Sequence, residues 1–369
     1  MDDLISPAVV AQLRAAVQTA APTVELPALA AAQNAVPGSR LRDRVDIVRD
    51  ALLADLPEGF DAGERIVLAV LDEPGFAGWM IWPVTEFVAS RALDSGSEAD
   101  FDAGMALLAR LTTGLTAEFA IRDLLIARPE RGLAIMHNWT THDDEHVRRL
   151  ASEGSRAYLP WAKRVPWLVA HPRATRGILD STSRDPAEYV RRSAANHLND
   201  LSRIDPAVVL DTAAGWAAEP TAHTPWVLRH GLRTLVKRGD PAALALLGFE
   251  GDGLHVARPV LSSDIVPWGG TVELAAEVVN TGETDATVAV DYSIGFQRAD
   301  GSVRPTTFKL GTRRLPAGAS TTVTKTHSFR AITTRTYYPG PHSVTVQANG
   351  LLSPEAHFTL TPPPASDPS

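Results

Sequence analysis

The strongest constraint on the fold is an arginine-bearing helical pattern that recurs three times along the chain. HVRRLASEGSRAYLPW occupies 146–161, YVRRSAANHLNDLS occupies 189–202 and WVLRHGLRTLVKRG occupies 226–239. In these copies Arg148 corresponds to Arg191, Arg149 to Arg192 and Arg229, and Glu153 to Asn196 and Arg233. The steps from 149 to 192 and from 192 to 229 are 43 and 37 residues. Self-similarity at that period is the signature of stacked helical hairpins of the HEAT type. One such hairpin cannot bury its own apolar face, so the copies must pack in a row. The second helix of each hairpin is then expected to line a concave surface.

Read as one helix over 146–161, the first copy has an apolar line of Val147, Leu150, Ala151 and Gly154. Arg149, Glu153 and Arg156 fall at i, i+4 and i+7 on another face, which predicts a carboxylate held between two guanidinium groups. From 129 to 239 the hairpins are regular, with short connections marked by Pro, Asp or Thr. Upstream lie Ala-rich helical runs to residue 35 and an amphipathic helix over 41–56 whose Arg and Asp pairs face water. An apolar segment over 78–93 follows, with Trp79 and Trp82 as core fillers, and then two helices within 101–127. Thr116 is predicted to N-cap the second of these, with Glu118 in its first turn.

At GFEGDG (248–253) the period changes from helix to strand. Alternating segments near 254–263, 271–281, 286–297, 306–315, 320–330, 342–349 and 355–361 are separated by Gly- and Pro-containing turns. Seven such strands predict an immunoglobulin-like β-sandwich. The expected organisation is a mostly α chain: a HEAT-like solenoid over 1–248, the sandwich over 254–361 and a disordered tail over 362–369.

A net charge of −8 argues against nucleic acid until it is divided along the 369 residues. Residues 146–240 carry 15 Lys and Arg against 9 Asp and Glu, a local excess of +6, and 13 of those cations are Arg. The local field decides anion binding, and Arg recognises phosphate in a bidentate manner. The absence of cysteine excludes disulfides and thiolate chemistry. His142 and His146 stand at i, i+4 in HDDEH, but that run straddles a helix start and lacks the zincin order, so neither metal nor cofactor is expected. The N-terminus MDDLISPAVV has no apolar leader core and no stretch reaches the roughly 18 apolar residues of a membrane span, so a cytoplasmic monomer that makes no membrane contact is expected.

TAEFAIRDLL (116–125), the 146–161 and 189–202 motifs, and WMIWPVTEFV (79–88) together resemble the AlkC branch of the AlkC/AlkD HEAT-like alkylpurine DNA glycosylases. The resemblance covers nearly the whole chain. It implies hydrolysis of the N-glycosidic bond of N-alkylated bases in double-stranded DNA, chiefly 3-methyladenine with 3-methylcytosine and 1-methyladenine, without base flipping. Such a base is cationic, so it departs neutral, and the remaining barrier is an oxocarbenium-like sugar that a carboxylate can stabilise while accepting a proton from water. Glu153, an acid inside an arginine stripe, is the first candidate. Glu118, Trp161 and Asp200 complete the catalytic set that the resemblance implies, Trp161 by offering a ring to the lesion's sugar or backbone.

The opposing readings are an ion pair for Glu153, a helix-start charge for Glu118, a core filler for Trp161 and a solvated charge for Asp200. The DNA-contact candidates are Arg148, Arg149, Arg156, Arg191, Arg192, Asn196, Arg229 and Arg233, with Lys237 and Arg238 extending the line. Adjacent arginines differ by about 100° around a helix, which favours the register of Arg149, Arg192 and Arg229. In the sandwich the basic candidates are Arg298, Arg313, Arg314, Lys325, Arg330 and Arg335. The sandwich is expected to close over DNA opposite the solenoid, the alternative being a cap on the last repeat. The rival to the enzyme as a whole is a non-catalytic HEAT/Ig scaffold that binds DNA or an acidic protein.

Overall fold

The computed structural model describes residues 4–363, so most of the tail expected over 362–369 lies outside the described residues. Two compact units divide the chain at Gly231/Leu232. The first begins with α1 (Pro7–Ala20), α2 (Pro27–Ala35), α3 (Leu41–Asp55), α4 (Phe60–Leu71), α5 (Ile81–Asp94) and α6 (Glu98–Leu111). Their starts follow local chemistry: Ser6 and Ser97 cap α1 and α6 with their side chains, and Pro opens α1 and α2, where its missing N–H has no partner to lose. The apolar segment around Trp82 is core, as expected. Within it Glu86 is buried and accepts hydrogen bonds from Trp82 Nε1 at 3.2 Å and Arg42 Nη1 at 2.7 Å. Arg42 therefore reaches inward as well as to Asp46.

The repeats follow as α7 (Ile121–Ala127), α8 (Pro129–Trp139), α9 (Glu145–Gly154), α10 (Pro166–Ala170), α11 (Arg176–Thr182), α12 (Glu188–Leu201), α13 (Pro206–Ala218) and α14 (Thr224–Gly231). The first helices α8, α11 and α13 pack in sequence, and so do the second helices α9, α12 and α14. This is the two-layered helical stack that the repeat period requires. Close approach between neighbouring helices uses glycine: a Cβ on Gly154 would lie 2.8 Å from Ile121 Cγ2, and one on Gly231 would lie 2.9 Å from Leu198 Cδ2.

Three sequence expectations need correction. The helix drawn over 146–161 stops at Gly154: Ser155 leaves helical geometry at φ −92° and ψ 5°, and the Gly154 and Arg156 carbonyls accept from Arg122 instead of from a further turn. The third motif copy is two helices, since α14 ends at Gly231 and α15 (Arg233–Arg238) begins two residues later. Arg229 and Arg233 thus do not share a helix. The helix expected directly after Thr116 starts at Ile121: Thr116 Oγ1 accepts from the Glu118 N–H at 3.2 Å, forming a turn that holds Glu118 ahead of the helix.

The second unit comprises α15, α16 (Pro241–Ala245) and ten strands: β1 (Leu254–Val256), β2 (Val260–Leu261), β3 (Ile265–Val266), β4 (Thr271–Asn280), β5 (Ala286–Gln297), β6 (Val303–Leu315), β7 (Ser320–Ser328), β8 (Gly340–Ala348), β9 (Leu351–Leu352) and β10 (Ala356–Leu360). All seven expected strand segments are present. One sheet runs β1-β4-β2 with β7 also on β4, and the other runs β3-β10-β8-β5-β6 with β9 on β8. The inward residues alternate as a half-buried strand requires, and they join in one core of Leu274, Val290, Tyr292, Ile294, Val346 and Phe358 among others. The architecture is a HEAT-like helical region followed by an immunoglobulin-like sandwich.

Candidate active site

Helices α9 and α12 repeat the same local construction. Arg148 Nη1 donates to the carbonyls of His142 and Asp143 at 2.9 and 2.8 Å. Arg191 Nη1 donates to Asp185 and Pro186 at 2.6 and 2.7 Å, the same offsets of six and five residues. Each arginine thus ties down the turn that precedes its own helix. Arg148 also forms a two-point bond to the Asp185 carboxylate at 2.7 and 3.1 Å, linking one repeat to the next. Both were expected at phosphates; in this structure their donors are bonded within the scaffold, Arg148 to an exposed turn and Arg191 to a buried one.

The second arginine of each VRR leads elsewhere. Arg149 Nη1 lies 2.5 Å from Glu118 Oε2 and 3.1 Å from Thr116 Oγ1, its Nη2 lies 3.5 Å from Glu153 Oε1, and its guanidinium carbon sits 5.1 Å from the centre of the Tyr189 ring. Glu153 Oε1 accepts from Arg156 Nη1 at 2.6 Å, and its Oε2 accepts from Ser193 Oγ at 2.6 Å. Arg156 Nε in turn donates to Asp200 Oδ2 at 2.8 Å. The result is a row of alternating sign: Glu118, Arg149, Glu153, Arg156, Asp200. Glu153 does stand between two guanidinium groups, as the i, i+4, i+7 spacing predicts, although Arg156 reaches it from beyond the helix end. Arg156 is buried, which removes it from the phosphate contacts and makes it the bridge between repeats.

The ends of this row differ from its middle. Both Glu153 oxygens are occupied, whereas Glu118 Oε1 and Asp200 Oδ1 have no hydrogen bond among the described residues. Asp200 is buried, not a solvated charge, and that burial holds its pKa above the usual carboxylate value against the pull of Arg156. Burial also works against the charge on Arg156, but its bonds to Asp200 and Glu153 outweigh it and raise its pKa.

Trp161 is 97 % exposed, which excludes the core-filler reading. Its φ of 60° places a bulky side chain in the left-handed region, a conformation that persists only where the surroundings enforce it. The enforcing group is Arg122 of α7. Its fully buried guanidinium donates to the carbonyls of Gly154 at 3.1 Å, Arg156 at 2.8 Å and Lys163, so it grips the loop on both sides of Trp161. The neighbouring Asp123 holds the Lys163 ammonium at 2.9 Å. Burial, helped by the charge of Arg156, lowers the Arg122 pKa to about 10, which leaves it protonated at neutral pH. Sequence reasoning missed Arg122; the available signal was an arginine inside the apolar run AEFAIRDLLIA.

The remaining candidates separate by exposure. Arg192 is exposed and bonded to Glu188 on its own helix, and Arg229 is exposed with no ion pair among the described residues. Asn196 is half-buried, its Oδ1 2.9 Å from His230 Nε2. Arg233 is exposed on α15 in the second unit. Arg313 and Arg314 are exposed on β6, with Arg314 paired to Asp285 at 3.1 Å. Cavities of about 500 and 530 Å³ lie elsewhere: one in the sandwich beside Arg304 and Tyr338, one beside Leu71 and Trp139, and neither is lined by Glu118, Glu153 or Asp200. Among the described residues, no group of acidic or histidine side chains has the spacing of a metal site, and no helix is long and apolar enough to cross a membrane.

Comparisons with known proteins agree with this fold. A family model for the C-terminal Ig-like domain of the uncharacterised protein YhaZ matches residues 255–362. Protein YhaZ of Bacillus subtilis (strain 168) is 32% identical over 325 residues, 88% of each chain. The alkylpurine DNA glycosylase AlkC of Pseudomonas fluorescens, solved bound to DNA containing an abasic-site analogue, superposes with a TM-score of 0.79 at 32% identity over 98% of this chain and 99% of its own. With the helical stack, the Ig-like sandwich and these two full-length likenesses together, the chain belongs to the AlkC branch of the HEAT-like alkylpurine DNA glycosylases.

Proposed function

We propose that this protein is a DNA glycosylase that hydrolyses the N-glycosidic bond of N-alkylated bases in double-stranded DNA, 3-methyladenine first, with 3-methylcytosine and 1-methyladenine as further substrates. The observation that carries this reading is an exposed, backbone-anchored Trp161 on the loop beside a row of three linked carboxylates. A DNA-binding scaffold has no use for acids among its basic side chains, since phosphate repels them. An enzyme that makes a sugar cation does. The alkylated base carries its own positive charge and leaves as a neutral molecule, so no strong general acid is needed.

In this reading Asp200 accepts the proton of the attacking water through its unoccupied Oδ1, and its raised pKa suits a base. Glu118 stabilises the developing oxocarbenium charge from the other end of the row. Glu153, with both oxygens bonded, orients Arg149 and Arg156 and contributes its field without a proton transfer. Trp161 meets the deoxyribose or backbone, so the base need not enter a pocket. Arg192 and Arg229 supply phosphate contacts. Within this reading residues 1–248 form the glycosylase region and the sandwich, with Arg313 and Arg314, closes over the DNA.

The test is release of free base from methylated duplex, measured by mass spectrometry. Release of 3-methyladenine is expected. Tight DNA binding with no release of any methylated base would leave the scaffold reading in its place. Truncation after Gly251 addresses the sandwich: a soluble, fully active remainder would exclude the clamp, and insolubility would favour a cap.

A further inference from the structure

Most arginines of the repeat segment are electrically satisfied within the protein. Arg148, Arg149, Arg156, Arg173, Arg176, Arg184 and Arg192 each pair with a carboxylate, and Arg191 donates to carbonyls. Arg164 and Arg203 are different. Both are exposed, neither has an ion pair among the described residues, and both are held against one half-buried ring. The guanidinium carbon of Arg164 lies 5.1 Å from the centre of Tyr158, and that of Arg203 lies 5.7 Å from it. A carboxylate would have fixed these groups by neutralising them; an aromatic face orients a guanidinium and leaves its charge and its N–H donors available.

Their positions along the chain give this pair a purpose. Arg164 follows Trp161 by three residues on the same loop, and Arg203 follows Asp200 by three residues in the turn that ends α12, its N–H bonded to the Asp200 carbonyl at 3.2 Å. Tyr158 therefore joins the loop that carries the exposed tryptophan to the helix end that carries the terminal acid. Because both cations contact one ring, their carbons are at most about 11 Å apart. Phosphates on one strand advance by only about 3.4 Å of helix axis per nucleotide, so two guanidinium groups this close can hold neighbouring phosphates of a single strand.

We propose that Arg164 and Arg203, pre-oriented by Tyr158, form a two-point clamp on the phosphates flanking the damaged nucleotide. The clamp rests on the glycosylase reading for its substrate. Its task is to fix the register of the damaged strand against Trp161 and Asp200. Phosphate contacts position a duplex without reading its sequence, which is what a repair enzyme acting at any sequence requires.

The test uses the full-length protein and a duplex with one abasic-site analogue, with affinity measured by fluorescence anisotropy over a salt series. Arg164→Ala and Arg203→Ala are each expected to weaken binding several-fold and to lower the salt slope by about 0.9. Tyr158→Phe should match the wild type. Tyr158→Leu should weaken binding in the wild-type background and add nothing when both arginines are already alanine. Neutral methylphosphonates at the two positions flanking the analogue should reduce wild-type affinity and leave the double-alanine variant unaffected. An unchanged slope in either arginine variant overturns the two-point clamp, as does a Tyr158→Leu loss of equal size in both backgrounds. Binding to the analogue requires no turnover, so absence of base release would count against the glycosylase reading alone, while an unchanged slope in a protein that releases base would count against the clamp alone.

Discussion

Helices α9 and α12 are the same motif, 43 residues apart, with different duties. At the first arginine they agree: Arg148 and Arg191 tie down the preceding turn through carbonyls at identical offsets. At the second they part, Arg149 held between Glu118 and Glu153 and Arg192 exposed beside Glu188. Four residues further on, α9 has Glu153 in the acid row and α12 has Asn196 facing His230. One residue beyond, Gly154 in α9 allows contact with α7, while α12 has the fully buried His197. A repeat thus keeps the contacts that hold it to its neighbours and varies the positions beyond them. The proposed chemistry is gathered where α9 meets α12, and Asp200 is the α12 contribution to it.

The comparison breaks most visibly at the acid row. Asp200→Asn, nearly isosteric, is expected to slow single-turnover base release by at least ~10²-fold, while Glu153→Gln should lose less, about 10-fold, because its oxygens are already bonded. If Glu153→Gln is the more damaging of the two in folded protein, the water-accepting role belongs to Glu153. Next in size are the tying arginines. Arg191→Met and Arg148→Met should each cost about 2 kcal/mol in chemical denaturation, the first because it leaves the buried Asp185 carbonyl without a donor and the second because it strips the buried Asp185 carboxylate of its partner. Loss of DNA affinity without loss of stability would show that one of them contacts phosphate after all.

His197 sharpens the comparison through pH. Its Nδ1–H donates to the Ser152 carbonyl at 3.0 Å, and its Nε2 lies 3.1 Å from Thr175 Oγ1, so it joins α12 to α9 and to the turn before α11. Burial first, then the charge of Arg156, lowers its pKa to about 3 from an ordinary 6.5. Between those values the unfolded chain binds a proton that the folded chain refuses. Its contribution is therefore fully present above pH 6.5 and declines as pH falls toward 3, by at most ~1.4 kcal/mol per pH unit. Burial likewise lowers His327 in the sandwich, to about 4, so both units should weaken in acid. His197→Asn should flatten the acid side of the stability profile, and an unchanged profile would remove His197 from the account. The smallest effect belongs to Arg192→Ala, with unaltered melting, a few-fold weaker duplex binding and a salt slope lower by about 0.9. Loss of affinity for damaged duplex alone would make Arg192 a lesion contact.

Much of this was legible in the chain. Alternating segments separated by turns became strands, with one face buried in β4, β5 and β8, and the repeat period reported the stack because only regular spacing lets hairpins share a core. Arg149 beside Glu153 followed from helical spacing, whereas Arg156 reaches the same carboxylate from beyond the helix end. What stayed hidden depends on contacts across long separations. Arg156 faces Asp200 across 44 residues, and Arg122 reaches Lys163 across 41, so no local pattern distinguishes them from surface arginines. Local charge counts identified the basic segment, yet they could not say that carboxylates and carbonyls of the same segment occupy most of those cations. The resemblance set Trp161 as a ring offered to DNA, while the local sequence Leu159-Pro160-Trp161 left a core position open as well until the loop around it is seen.

The grip of Arg122 on both sides of Trp161 also bears on how damage is found. A loop that orders only on contact would have to rearrange at every nucleotide it sampled, and motions of that kind occupy nanoseconds to microseconds or longer. Here the ring is already set before any DNA arrives, locked from beneath by a residue that no duplex can touch. Each step along a duplex then tests the compliance of the DNA against a rigid probe. Discrimination would rest on how readily a damaged nucleotide yields rather than on how well the protein adapts to it.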